Sequence, residues 1–161
     1  MDATRRTELI ERYREGPAVV ESVVAGLTDE DLDRPPPDGG WSAREVVHHL
    51  ADSEMTSAIR VRKLLAEDSP VIHGYDEEEF ARRLHYADRP IGPSLAALRA
   101  ARESTVPILD LLGEEDWARA GRHTESGAYS VETWLEIYAR HAHDHAEQIE
   151  HAARPGEPAG G

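Results

Sequence analysis

The sequence contains no cysteine. Without protein thiolates the chain can form no disulfide, no cysteine-ligated zinc or iron–sulfur site, and no covalent cysteine intermediate. Any thiol that takes part in its chemistry must therefore come from a substrate. The absence favours an external thiol over a protein thiol, and it says nothing against water as a nucleophile.

Long apolar runs and basic residues are also scarce. No stretch approaches the roughly 18 apolar residues that a membrane-spanning helix requires, and the first residues lack the apolar core of a secretory signal. Acidic residues outnumber basic ones 32 to 18, which gives a formal net charge of -14. A surface of that charge repels phosphate backbones and anionic lipids. We therefore expect a cytoplasmic protein with no nucleic-acid or membrane partner.

The 161 residues match the usual size of one domain. Four long segments of helical composition are separated by stretches rich in Pro, Gly and Asp. They cover about residues 4–27, 42–65, 94–112 and 130–153. This pattern predicts an all-α, single-domain four-helix bundle over residues 1–153, with an antiparallel arrangement as the simplest architecture. Residues 154–161 are predicted to form a disordered tail.

Two helix starts are marked by capping residues. Ser42 and Glu45 have the spacing of a capping box, and Ser130 is a predicted N-cap for the last helix. Trp41 and Trp134 lie near these two starts, and we interpret both as core packing. The second and fourth segments are therefore the best-defined helices of the sequence.

A long connection joins the second and third segments, from about Glu67 to Pro93. One short helix is expected within it, from Asp76 to Leu84. Connections longer than about 15 residues are often functional, for example as a lid or a pocket wall.

The nine histidines are unevenly distributed, and two of them lie on the apolar face of the last predicted helix. His141 and His145 are four residues apart, so their imidazoles stand one above the other, as in helices that supply two ligands to one metal ion. His143 falls on the opposite, charged face and is expected to be solvated. The alternative is a pair of core histidines satisfied by hydrogen bonds, and only a third ligand would decide between the two interpretations.

The second helix offers two neighbouring candidates for that third ligand, His48 and His49. Both lie well off the mean apolar direction of a helix whose apolar stripe is broad. Helical periodicity therefore leaves both open.

Four stretches stand out in order along the chain: GWSAREVVHHLADSE, SPVIHGYDEEEF, HTESGAYSVE and YARHAHDHAEQIE. Together with Arg60 they resemble the YfiT-like branch of the DinB superfamily, whose members are metal-binding four-helix bundles. The resemblance implies a DinB-type bundle with a long connection between helices 2 and 3, and a metal site formed by His49, His141 and His145. One departure is Gln148, which stands where such proteins carry a further histidine, so the resemblance assigns it no role toward the ligands.

Three imidazoles without a carboxylate or thiolate would leave a divalent ion with its full charge and an open coordination position. Zinc and nickel are the first choices, with iron and manganese as alternatives. Such an ion lowers the pKa of bound water towards about 7, or binds a thiol as thiolate.

The resemblance implies one of two enzymes acting on a small-molecule substrate. One is a metal-dependent hydrolase, and the other is an S-transferase that uses a low-molecular-weight thiol such as bacillithiol or mycothiol. It also implies a homodimer. The alternatives are a non-catalytic protein that binds a metal or a small ligand, and a bundle whose core histidines bind no metal.

Four further residues are candidates for the pocket around the metal: Arg60, Tyr75, Asp76 and Tyr138. Each also has a structural interpretation, as a surface ion pair for the arginine, a turn for the adjacent Tyr and Asp, and core packing for the last tyrosine. Glu54 lies on the apolar stripe of the second helix. It should pair with an arginine or a metal-bound histidine, and a structural pair is the preferred expectation.

Overall fold

The computed structural model describes residues 1–36 and 39–154. The helices of this part are α1 (Ala3–Val24), α2 (Asp29–Asp33), α3 (Ala43–Ala66), α4 (Glu77–Arg83), α5 (Ile91–Leu109), α6 (Glu114–Trp117) and α7 (Val131–Ala153), with a 3₁₀ turn at Tyr86–Asp88. The strands are β1 (Val71–Ile72), β2 (Ala120–His123) and β3 (Gly127–Ser130). The predicted tail lies outside the described residues from position 155 onward.

Four long helices, α1, α3, α5 and α7, form the bundle and confirm the predicted fold class. Helix α1 packs against α7 and α5, and α3 packs against the same two helices. In the described residues, α1 and α3 therefore lie on one diagonal of the bundle, and α5 and α7 on the other. This order differs from the simplest bundle, in which consecutive helices are neighbours. None of the described helices is both long and apolar enough to cross a bilayer.

The two best-defined helices begin where the sequence predicts. At the start of α3, the hydroxyl of Ser42 accepts a hydrogen bond from the Glu45 amide at 3.3 Å, and the Glu45 carboxylate accepts from the Ser42 amide at 2.8 Å. At the start of α7, the hydroxyl of Ser130 accepts from the Thr133 amide at 3.1 Å. These caps satisfy amides that a helix start leaves without intrahelical partners.

The connections contain a small sheet that the all-α prediction did not include. Strand β1 pairs parallel with β2, and β2 pairs antiparallel with β3. The polar stretch before the last helix forms the β2–β3 hairpin, where Gly127 adopts a φ of +84° that favours glycine. Strands of two to four residues are too short for an alternating pattern to reveal them.

A buried ion pair joins all four long helices. From α5, the Arg102 Nε donates to the Glu54 carboxylate of α3 at 2.8 Å, and both side chains are 1 % exposed. The other guanidinium nitrogens donate to the carbonyls of Tyr13 in α1, at 2.7 Å, and Tyr138 in α7, at 3.0 Å. The Tyr13 hydroxyl donates to Glu54 at 2.5 Å. The expected structural pair for Glu54 is therefore confirmed.

Arg102 also compensates for a proline inside α1. Pro17 has no N–H, so the Tyr13 carbonyl lacks the donor that the helix would otherwise supply from four residues ahead. The Arg102 guanidinium takes that place. Gly16 provides the space, because a Cβ there would collide with Arg102 Nη1.

Candidate metal centre

Three imidazoles from two neighbouring helices converge inside the bundle. His141 and His145 stand one turn apart on α7, with ring centroids separated by 4.5 Å, and His49 reaches them from α3 at 5.5 Å and 4.8 Å. One ring nitrogen of each lies within 4.8 Å of the other two. Within residues 1–36 and 39–154, this is the only such group of His, Cys, Asp or Glu side chains that could hold an ion. The structure thus brings together the three predicted residues.

Burial keeps these three histidines uncharged. It lowers the pKa of His49 to about 4, with a further contribution from His145. Burial also lowers the pKa of His141 to about 2, helped by the two neighbouring imidazoles and by Arg102. The pKa of His145 is lowered by burial too, against the opposing effect of its hydrogen bond to Gln148. Neutral imidazoles are the form that binds metal ions, so the cluster is ready to act as a ligand set at pH 7.

Gln148 fixes the orientation of one candidate ligand. Its side-chain oxygen lies 2.6 Å from His145 Nδ1. An amide oxygen only accepts, so Nδ1 carries the proton and the lone pair of Nε2 is left free. Metal-ligating histidines are usually held in this way by a hydrogen bond from the second ring nitrogen. Gln148 therefore has a role that neither the sequence nor the resemblance assigned to it.

His141 supplies a second test of whether the residues fit an ion. Its Nδ1 is buried and makes no hydrogen bond within the described part of the chain. Buried polar atoms normally have partners, and those without one need an explanation such as an ion or water. The orphaned nitrogen and the all-imidazole donor set both fit a bound divalent ion.

The two neighbouring histidines that the sequence considered are engaged elsewhere. His48 is fully buried, and its ring nitrogens lie 2.7 Å from the Ser94 hydroxyl and 3.1 Å from the Arg89 carbonyl. Both of its nitrogens are occupied, which distinguishes it from His49. His143 lies off the cluster as expected, half-buried at the surface, with Nε2 2.9 Å from the Arg12 carbonyl of α1.

Three of the four candidate pocket residues form a chain of contacts that begins at the cluster. The Tyr138 ring lies 5.6 Å from the His141 ring, and its hydroxyl accepts a hydrogen bond from Arg60 at 3.0 Å. The Arg60 guanidinium in turn lies 5.8 Å from the centre of the Tyr75 ring. Asp76 is placed differently, because its exposed side chain accepts from a backbone amide at 2.9 Å and caps α4. Its position matches the turn interpretation and provides no contact with the histidines.

Trp41 packs against the core as predicted, and it also contacts the histidine cluster, which the sequence did not indicate. Its half-buried ring lies 4.8 Å from that of His49 and is tilted by 50° to this imidazole. A tryptophan next to a helix cap gave no signal of that contact, since its position alone suggested packing. Trp134, in contrast, is fully buried and donates to the Ser57 carbonyl at 3.0 Å, as expected for a core residue.

The fold and the site together define a helical bundle with a histidine cluster of the metal-binding type. The chain belongs to the DinB superfamily, whose family model matches residues 12–149.

Relatives and a solved structure place the chain in the YfiT-like branch. It is 37 % identical over 142 residues to a "putative metal-dependent hydrolase" of Oceanobacillus iheyensis, covering 88 % of this chain and 82 % of that protein. The "putative metal-dependent hydrolase YfiT" of Bacillus subtilis is 33 % identical over 151 residues, covering 93 % and 85 %. The solved structure of YfiT superposes with a TM-score of 0.88 over 92 % of this chain and 86 % of the other. It is described as having an unusual four-helix bundle topology.

Proposed function

We propose that this chain is an enzyme that holds one divalent metal ion with His49, His141 and His145 and acts on a small-molecule substrate. The convergence of three uncharged imidazoles, each offering a nitrogen within 4.8 Å of the others, is the observation that carries the proposal. The names of the relatives, which describe metal-dependent hydrolases, support it.

The donor set suits zinc or nickel, with iron or manganese as alternatives. When bound, such an ion supplies Lewis acidity that lowers the pKa of water towards about 7 or holds a thiol as thiolate. The protein residues have separate tasks. Gln148 keeps the proton of His145 on Nδ1, while the ring of Trp41 packs beside His49.

Two nucleophiles are compatible with this site, and separate observations favour each. The relatives' names favour water. A low-molecular-weight thiol is favoured over a protein thiol because the chain has no cysteine, so a thiolate at the ion would have to come from outside the protein. We accordingly propose that the enzyme is either a hydrolase or a thiol S-transferase.

Metal analysis tests the proposed site directly. Protein purified without chelator or nickel resin should contain about one equivalent of metal, and His145→Ala should contain little. His143→Ala is the matched control, because His143 belongs to the same HAHDH motif but lies off the cluster. It should retain the metal. Wild-type protein that takes up no added zinc, or equal metal in all three proteins, would contradict the proposal.

Activity assays then distinguish the two reactions. Zinc-loaded protein would be incubated with esters and amides in water, and with electrophiles in the presence of a low-molecular-weight thiol. Turnover that disappears in His145→Ala identifies the reaction. A loaded protein that is inert in both panels, yet stabilised by a small molecule, would instead support the non-catalytic binding protein. The homodimer stays a prediction that light scattering can test.

A further inference from the structure

A second group of polar side chains lies beside the histidine cluster. The described part of the chain contains three buried side-chain nitrogen or oxygen atoms without a hydrogen-bond partner: Arg60 Nε, Tyr75 Oη and His141 Nδ1. These residues form one region, because Arg60 lies over the Tyr75 ring and Tyr138 joins Arg60 to His141. The unsatisfied atoms are therefore concentrated at the candidate site.

Two of these atoms, Arg60 Nε and Tyr75 Oη, are hydrogen-bond donors without an acceptor at hydrogen-bond geometry among the described residues. Arg60 is held by its other nitrogens, since Nη1 donates to Tyr138 Oη at 3.0 Å and Nη2 donates to the His73 carbonyl at 2.6 Å. Nε–H is left over. Burial raises the pKa of Tyr75 to about 12, so its hydroxyl keeps its proton at neutral pH. The Ser53 hydroxyl opposes this rise as a neighbouring hydrogen-bonding group, although it lies outside the hydrogen-bond distance and angle of the Tyr75 hydroxyl.

The charge of Arg60 is also without a partner at contact distance. No carboxylate in the described ranges forms an ion pair with Arg60, although the chain has 32 acidic residues. Glu77 is a nearby carboxylate that could compete with a bound anion for the Arg60 guanidinium. Burial raises the pKa of Glu77 and Arg60 lowers it, but no hydrogen bond joins the two side chains. An arginine N–H and a phenolic O–H, placed beside an uncompensated positive charge, match the two oxygens of a carboxylate.

We propose that Arg60 and Tyr75 form a subsite that binds a carboxylate group of the substrate, while the histidine cluster acts on another part of the same molecule. This inference rests on the proposed metal-dependent function. It narrows the substrate class to small molecules that carry a carboxylate separated from the reacting group. Tyr138 is a positioning residue here, because its hydroxyl holds the Arg60 guanidinium while its ring packs against His141.

Matched pairs of thiol probes test the subsite through binding. The probes are mercaptoacetate, 3-mercaptopropionate and 4-mercaptobutyrate, each compared with its amide by calorimetric titration of the zinc-loaded protein. For the chain length that fits, the acid should bind roughly 10-fold more tightly than the amide, as a charge-assisted hydrogen bond predicts. This ratio should fall to near one in Arg60→Gln and should decrease in Tyr75→Phe. Glu77→Gln removes the competitor and should increase the ratio.

Arg62→Gln is the matched control, because Arg62 lies on the same helix but donates to Ser104 and Thr105. It should leave the acid-to-amide ratio unchanged. The phenylalanine variant removes only a hydroxyl without a partner, so it provides a test even if Arg60→Gln is unstable. Retained zinc with equal affinities for acid and amide, or a preference that survives Arg60→Gln, would overturn the subsite alone. Wild-type protein that binds no zinc would overturn the proposed function and the subsite with it.

Discussion

The hydrogen bond from His145 to Gln148 makes a quantitative prediction about metal affinity. In Gln148→Leu, His145 Nδ1–H loses the acceptor that lies 2.6 Å away, so neither the tautomer nor the ring orientation is fixed. Loss of such an outer contact typically weakens metal binding 10- to 100-fold. That range corresponds to about 1.4 to 2.7 kcal/mol. The variant should therefore still bind zinc, unlike His145→Ala, but with a clearly higher Kd.

Competition with a chromogenic zinc chelator would measure this change on metal-free protein. Gln148→Glu is an informative companion, because a carboxylate also accepts from Nδ1–H and raises the basicity of the imidazole. Its affinity should equal or exceed that of the wild type. Glu147→Gln alters an exposed neighbouring side chain and should have little effect. Wild-type affinity in a folded Gln148→Leu protein would refute the orienting role of Gln148.

Three further predictions concern stability, each measured by urea unfolding of the metal-free protein. Arg102→Leu should lower the free energy of unfolding by about 3–5 kcal/mol, because it leaves the buried Glu54 carboxylate without its partner. Arg99→Leu removes a surface pair on the same helix and should lower it far less. Equal losses in the two variants would contradict the buried-pair argument. Gly16→Ala should destabilise the protein by about 1–3 kcal/mol despite the higher helix propensity of alanine, because the new Cβ meets the Arg102 guanidinium. A stabilised variant would show that the space at Gly16 is not needed. Ser42→Ala should cost about 1 kcal/mol through loss of the α3 cap, and no change would mean that water replaces the cap.

Local signals account for most of what the sequence predicted correctly. A capping residue acts on amides within its own first turn, so Ser42 and Ser130 were identifiable without tertiary information. The four-residue spacing of His141 and His145 likewise depends only on helix geometry. These local rules predicted the long helices and two of the three clustered histidines.

Features that depend on contacts between distant segments could not be predicted from such local signals. Periodicity left His48 and His49 open, and the difference lies in the hydrogen bonds that Ser94 and Arg89 make to His48. The diagonal order of the helices and the three-stranded sheet also arise from contacts between segments that are far apart in sequence. The contact between Gln148 and His145 is local, but a glutamine at that spacing is common on exposed helix faces and gave no distinctive signal.

The division of the candidate ligands between α3 and α7 has a consequence for biosynthesis. His49 is translated early, whereas His141 and His145 belong to the last helix of the described chain. The complete ligand set therefore exists only after α7 has left the ribosome and docked beside α3. Incomplete chains that end before α7 lack two of the three imidazoles and should not take up the ion. Metal occupancy would then mark copies in which α7 has been synthesised and has docked against α3.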